Sequence, residues 1–470
     1  MTRPARDTHR VLPSFTEPLA RGFVEFLGGP VGRYALIGRQ RVWSPVTVLT
    51  LVAMVFLALA YMFRVPCITG SLVDAQWSLN WSGHRQYVAA CYNDIVPLYA
   101  VEGLEDGHLP YAYSWDDDGQ TRYMEYPVLS GYFMYLMAAV ARFLRATGLV
   151  GILPMPEVTV YFTVTAFVLG LCWVFTVRAC CRLAGNRIWD VWLIAASPLV
   201  IVHAFTNYDA LPILCAVLAV EALGRRRFVW AGVLVGLGTA FKLWPLFLLG
   251  AVLTLAVRRK DFRPFALTTA TAAVTWLVVN VPVALAYPTG WREFFRLNST
   301  RGAEWTTVYE LVRRLTGVGL EPETLNTVSL VLFGAACLAI FVFGLRCPKE
   351  PRLVQLFTLI VAAFLLFNKV WSPQYSLWLV PLVVLALPHW RLVFTWAWAE
   401  ALVWPILMWH LLGTENKGLG PELLNVAVIV RDGLLIAVCV GIIYVLMDKS
   451  VDVVRTAHGG FDPVMTKLRN

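Results

Sequence analysis

Asp94 lies in the stretch CYNDIVPLYA, Cys91–Ala100, among tyrosines, a proline and aliphatic side chains. A carboxylate packed against an apolar surface is costly to ionise unless a partner or a chemical role accounts for it. In such a setting it can act as a general base, taking a proton from an attacking hydroxyl. The competing reading is an ion pair, with Arg85 for instance, that only holds the loop. Lys242 in FKLWP and Lys369 in NKVWSPQY each lie between apolar stretches and are followed closely by a proline, Pro245 and Pro373. A proline there interrupts the helix and leaves backbone N–H groups open to an anion. Such a lysine either snorkels or pairs, or it meets a lipid phosphate at headgroup level, with Gln374 and Tyr375 adding hydrogen bonds. Arg301 belongs to a segment, 287–325, in which five arginines face five glutamates. It reads either as a solvated loop or as an anion site. Asp209 in TNYDA and the Glu125-Tyr126 pair complete the polar groups expected to contact substrate. The run Asp116-Asp117-Asp118 offers oxygen ligands to a divalent cation, but the following Gly119-Gln120 suits a solvated turn better. No metal site and no cofactor is assigned.

These residues must be held by a membrane scaffold. The chain has 470 residues, 58% hydrophobic and 15% charged, with a mean hydropathy of +0.64. Repeated continuous apolar runs identify an all-α polytopic membrane protein, because helices satisfy their own backbone groups in lipid. The formal charge of +9 is then a matter of cytoplasmic loops, not of nucleic acid. Residues 1–44 carry seven arginines against three acids and read as a cytoplasmic tail; the loop 65–125 carries nine acids against two arginines and reads as external. If 126–144 crossed the bilayer, every later arginine-rich loop (Arg178 to Arg187, Arg225–Arg227, Arg258–Lys260, Arg346 to Arg352) would fall outside. A helix lying along the external surface reverses all four. The spans are then 45–64, 158–178, 188–205, 208–223, 228–242, 244–257, 265–286, 326–345, 353–368, 374–387, 392–412 and 422–447. That is a bundle of about twelve, several shorter than the ~20 residues a crossing needs. The span domain is 45–447, and the tail 448–470 is cytoplasmic like the first.

The glycines of AGVLVGLG, Gly232 and Gly236 among them, suit close helix packing. No GxxxxGK[ST] loop occurs, so an activated donor is expected to arrive through the membrane as a lipid. Cysteines show no metal spacing. Cys67 and Cys91 share the first external loop, an oxidising setting in which they either bridge or pack as thiols.

The segments NDIVPLYAVEGLEDGHLPY…EYPVLSGYF, NYDALPILCAVLAVEAL, AGVLVGLGTAFKLWPLFLL and NKVWSPQYSLWLVPL, in that order, resemble glycosyltransferase family 87, the polyprenol-phosphate-mannose-dependent mannosyltransferases, over about residues 45–445. The resemblance implies a GT-C-like bundle with an extracytoplasmic active site and inverting transfer from a polyprenyl-phosphate sugar to a glycolipid or glycan acceptor. It places Asp94 as the general base, and Lys242, Lys369 and Gln374 at positions commonly polar in such sequences. A transporter or flippase of lipid-linked solutes is the rival reading. It would share the spans and intramembrane charges, but would not need a large acidic external loop with a surface helix.

Overall fold

The computed structural model describes residues 10–27, 42–73, 76–148 and 155–464. Apolar content and the demand for internal backbone bonding make most of it helix. After a helical turn, Pro13–Thr16, come an amphipathic helix, α1 (Pro18–Phe26), and α2 (Pro45–Ile68). Ser44 caps α2, accepting from the Thr47 N–H, and proline stands at its start. Proline also opens the helices beginning at Arg263, Pro288, Pro322 and Pro421, where its missing N–H has no helical partner to lose.

The first loop holds two antiparallel hairpins, β1 (Gly70–Val73) with β2 (Gln76–Leu79) and β3 (Ser114–Asp117) with β4 (Gln120–Tyr123). Between them lies the short helix α3 (Ile95–Val101), and after them α4 (Val128–Ala146). Then come α5 (Glu157–Ala184), a broken passage ending in α6 (Pro198–His203), α7 (Ala210–Gly224), α8 (Phe228–Phe241), α9 (Leu248–Arg259) and α10 (Arg263–Ala286). Two amphipathic pieces, α11 (Pro288–Thr300) and α12 (Val308–Thr316), precede α13 (Pro322–Arg346), α14 (Leu353–Phe367), α15 (Ser376–Ala386), α16 (Trp390–Leu411) and α17 (Pro421–Leu446).

Among the described residues, seven helices, α4 included, are long and apolar enough to cross a bilayer by length and composition. Four apolar helices of 10–17 residues accompany them. The expected span 188–205 is not one rod. It consists of a 3₁₀ stretch, Gly185–Val191, a single turn, Trp192–Ala195, and α6. Pro198 interrupts it, since proline cannot continue a preceding helix.

Hydrogen bonds sort the helix ends into two groups. At the end that carries the first loop, Thr159 donates to the Ile68 carbonyl at 2.6 Å, Ser130 to that of Phe241 at 2.8 Å, and Tyr309 to that of Phe367 at 2.8 Å. At the opposite end, Arg182 forks onto Glu221, Arg258 donates to the Gly344 carbonyl, and Arg352 to the carbonyls of Leu385 and Ala386. Helices α2 and α5 are therefore antiparallel neighbours whose facing ends, Ile68 and Glu157, meet at the loop end. The chain leaves α2 and enters α5 on the same side, so α4 is not a lone crossing. Its composition alone does not reveal this.

The glycines of α8 pack as their spacing suggests. A Cβ at Gly232 would lie 1.7 Å from Thr271 Oγ1 of α10, and one at Gly236 would lie 2.6 Å from the Ala272 carbonyl. This close approach joins α8 to α10 and helps shape the groove described below.

Candidate active site

Asp94 is the first residue of the turn that opens α3, yet its carboxylate does not cap the helix. Asn93 takes that task, its Oδ1 accepting from the Val96 N–H at 3.0 Å. The Asp94 backbone N–H donates to the Thr206 carbonyl at 2.8 Å, which ties α3 to the turn after α6. The carboxylate is left to face its surroundings. Tyr126 Oη and Gln374 Nε2 approach Asp94 Oδ2 at 3.5 and 3.4 Å, and the Tyr92 hydroxyl also hydrogen-bonds to it. The bonds from Tyr126 and Gln374 are long and weak. Burial pushes the Asp94 carboxyl up to about 7; Lys242 opposes the rise, and Glu125 and Asp209 add to it.

Lys242 is the extended residue that caps α8, just before a 3₁₀ turn, Trp244–Phe247, that contains Pro245. Its ammonium sits 2.6 Å from Asp209 Oδ1 and 4.3 Å from the centre of the Tyr375 ring. The second oxygen, Asp209 Oδ2, is buried without a hydrogen-bond partner. Of the two readings left open for Lys242, a paired lysine or a phosphate contact, the structure shows the first, with a carboxylate as partner. A bare lysine and a bare aspartate in apolar surroundings are each costly, and together they relieve one another.

Glu125, next to Tyr126, lies 4.0 Å from Arg122, whose Nε is 3.2 Å from Glu293 Oε1. The Glu125 N–H points to Glu102 Oε1 at 3.4 Å. Burial raises the Glu125 carboxyl, against the pull of Arg122 and Arg301, and holds Glu102 well above the usual range. Arg301 pairs with Glu304 at 2.5 Å. Lys369 is buried and donates at 2.7 Å to the Arg301 carbonyl, while the Glu304 N–H returns to the Lys369 carbonyl at 2.9 Å.

Asp94, Gln374 and Tyr126 therefore meet directly, with Lys242 and Asp209 beside them. Glu125 and Arg301 stand one layer out, and Lys369 braces the backbone of Arg301. The Asp116–Asp118 run lies apart, at the tip of the β3–β4 hairpin. There Asp118 and Gly119 take positive φ and the Gly119 N–H bonds Asp116 Oδ1 at 2.9 Å. Among the described residues no cluster of His, Cys, Asp and Glu could hold a metal ion.

Residues not singled out from sequence also shape the site. Tyr92 touches the carboxylate. Arg64, inside the first span, is fully buried beneath the same segment. The signal for Arg64 is a lone arginine in an apolar run, which is rarely left without a partner.

An apolar groove of about 400 Å³ opens beside Tyr126, lined by Pro127, Gly236, Ala272, Ala273, Trp276 and Phe294 among others. Small residues on α8 and α10 make its floor, and aromatic residues from α10 and α11 wall it. A basic carboxylate, amide and hydroxyl donors, and this groove suit an amphiphile with a polyhydroxyl head and a long apolar tail.

The family model for glycosyltransferase family 87 matches residues 125–373, just over half of the 470-residue chain. No curated protein matches. Among solved structures, ArnT from Cupriavidus metallidurans bound to undecaprenyl phosphate overlaps at 14% identity and a TM-score of 0.42, covering 86% of this chain and 78% of that one. Its apo form overlaps at 15% identity and a TM-score of 0.41, covering 85% and 78%. The overlap is coarse at these values.

Proposed function

Since the chain belongs to glycosyltransferase family 87, we propose that it transfers a sugar, mannose, from a polyprenyl phosphate to a glycolipid or glycan acceptor of the cell envelope, with inversion, on the extracytoplasmic face. Asp94 takes the proton of the acceptor hydroxyl. The hydroxyl oxygen forms the new bond to the anomeric carbon as the bond from that carbon to the phosphate oxygen breaks. The polyprenyl phosphate departs with the bond's electron pair as a stable anion, so no second acid is required. Gln374 and Arg301 face the departing phosphate, with Lys369 holding the Arg301 backbone in place. Lys242 aligns Asp209, whose unpartnered oxygen accepts a sugar hydroxyl. Glu125 and Tyr126 border the same head group, and the groove beside Tyr126 takes the isoprenoid tail.

The observation that carries this reading is the Asp94 carboxylate, relieved of capping by Asn93, approached by Tyr126 and Gln374 only at 3.5 and 3.4 Å, and set near a groove that begins at Tyr126. The side of the membrane is supported by charge. Arg182, Arg225, Arg258 and Arg352, one from each arginine-rich loop, bond at helix ends opposite the first loop, as expected if that end is cytoplasmic. Both tails then face the cytoplasm, and twelve passes join the two ends.

Purified protein incubated with radiolabelled polyprenyl-phosphate mannose and cell-envelope lipids should move label into a larger product. If label instead remains on the donor lipid while proteoliposomes translocate it, the protein is a transporter and the transferase reading fails.

A further inference from the structure

The segment just before Asp94 is fastened to the last turns of α2 by two different links. Cys67 and Cys91 form a disulfide with their Cα atoms 5.6 Å apart, which closes the alternative left open by the sequence. One turn earlier on α2, at i−3 from Cys67, Arg64 reaches the same segment. Its Nη1 donates to the Tyr92 carbonyl at 2.5 Å and lies 3.5 Å from that of Ala90. Its Nη2 donates to Thr206 Oγ1 at 2.6 Å and also to the Val202 carbonyl. Thr206 is the residue whose carbonyl receives the Asp94 N–H. Trp404 adds a third link, its indole N–H donating to the Ala90 carbonyl at 2.7 Å while its ring lies 5.4 Å from the guanidinium.

The held segment is strained. Ala90 has φ of +51°, a left-handed conformation that a residue with a Cβ adopts only under constraint. Without its links the 90–92 turn would relax, and Tyr92 and Asp94 would shift with it. The planar fork of an arginine can serve several acceptors in fixed directions, which the ammonium of lysine cannot. Arg64 makes no hydrogen bond to the Asp94 carboxylate. It bonds two residues that hold it, the carbonyl of Tyr92 just before it and the hydroxyl of Thr206, whose own carbonyl accepts from the Asp94 N–H.

We propose that Arg64 and the Cys67–Cys91 bridge together form a positioning unit for Asp94, so that sugar transfer requires this loop to be oxidised. The inference rests on the reading of Asp94 as the base. A base displaced by about 1 Å can lose up to about 100-fold in rate, whereas donor binding at Gln374, Arg301 and the groove involves other elements.

The test compares Cys67→Ala/Cys91→Ala and Arg64→Lys with the parent enzyme in single-turnover transfer from radiolabelled polyprenyl-phosphate mannose, each also in an Asp94→Asn background. The expected result is a fall in kcat of about tenfold or more with donor KM changed less than about twofold, and no further fall once Asp94 is already asparagine, since coupled sites are non-additive. Equal losses in both backgrounds, or kcat within about twofold of the parent, would overturn the proposal. If the double cysteine variant does not fold, Arg64→Lys alone decides by the same criteria. Near-normal turnover in Asp94→Asn itself would remove the premise, a result separate from any effect of the bridge.

Discussion

In the proposed reaction, burial and reactivity act together at Asp94. The carboxyl is pushed up to about 7 by burial, and only its ionised form can take a proton. Transfer rate should therefore rise about tenfold per pH unit below 7 and level off above it, as measured by kcat/KM against pH. The same shift has a stability consequence. The folded state holds a proton that the unfolded chain, with an ordinary carboxyl near 3.9, has released, so stability falls as pH rises between those two values. Asp94→Asn should lower turnover by about 10²–10⁴-fold while leaving the melting temperature at pH 8 unchanged or higher. A base that was only a loop brace would lose stability as well. Lys242 behaves in the opposite way. Lys242→Met strands the Asp209 carboxylate, and loss of one partner of a buried pair costs about 3–5 kcal/mol. The double variant with Asp209→Asn should regain much of that in a thermal-unfolding assay. That Asp94 stands out as a candidate was legible in the sequence because an acid in an apolar aromatic run is rare; its meeting with Tyr126 and Gln374 was not. The Lys242–Asp209 pairing was not, since 33 positions separate the two and only the antiparallel turn from α7 to α8 joins them.

Among the elements, α4 shows best what a sequence holds and what it withholds. Its 19 residues are apolar enough for a span, and only the charge parity of loops far along the chain argues that it does not cross. The structure gives a local reason, the meeting of Ile68 with the start of α5. Cysteines placed at Gln120 and Thr147, with the seven free thiols replaced and the Cys67–Cys91 bridge retained, should both react with an impermeant reagent added from outside. Labelling from opposite sides would make α4 a crossing. The groove between α8 and α10 supports a second prediction. Ala273→Trp should fill it and raise KM for a long polyprenyl donor about tenfold or more, given ~0.8 kcal/mol for each buried CH₂. A donor with a tail of about ten carbons, too short to reach the filled part, should be affected much less. The GxxxG pair announced that these helices meet, but not the groove, because a groove is the space left by Gly236, Ala272 and Ala273 together with aromatic residues of α11.

On the scale of the whole molecule, the short helices and the long ones are not mixed at random. The core is made of α7, α14 and α15, of 15, 15 and 11 residues, whose side chains are mostly buried. The periphery is made of α2, α10, α13 and α17, of 24 to 26 residues, largely exposed along their apolar faces. At 1.5 Å per residue the core helices span only about 16–22 Å, against about 36–39 Å for the outer ones. Lengths of this kind were visible as runs too short to cross; that they cluster in the middle was not. At the Asp94 end the core helices form a floor below the outer ones: the carbonyl of Phe367, the last residue of α14, accepts from Ser329, two turns inside α13. A lipid that reacts at such a floor does not have to be lifted toward water, which would expose isoprenoid carbon at ~0.8 kcal/mol per CH₂. On the proposed function this floor brings the reaction toward the depth at which the carrier rests, so that the acceptor, not the carrier, makes the descent.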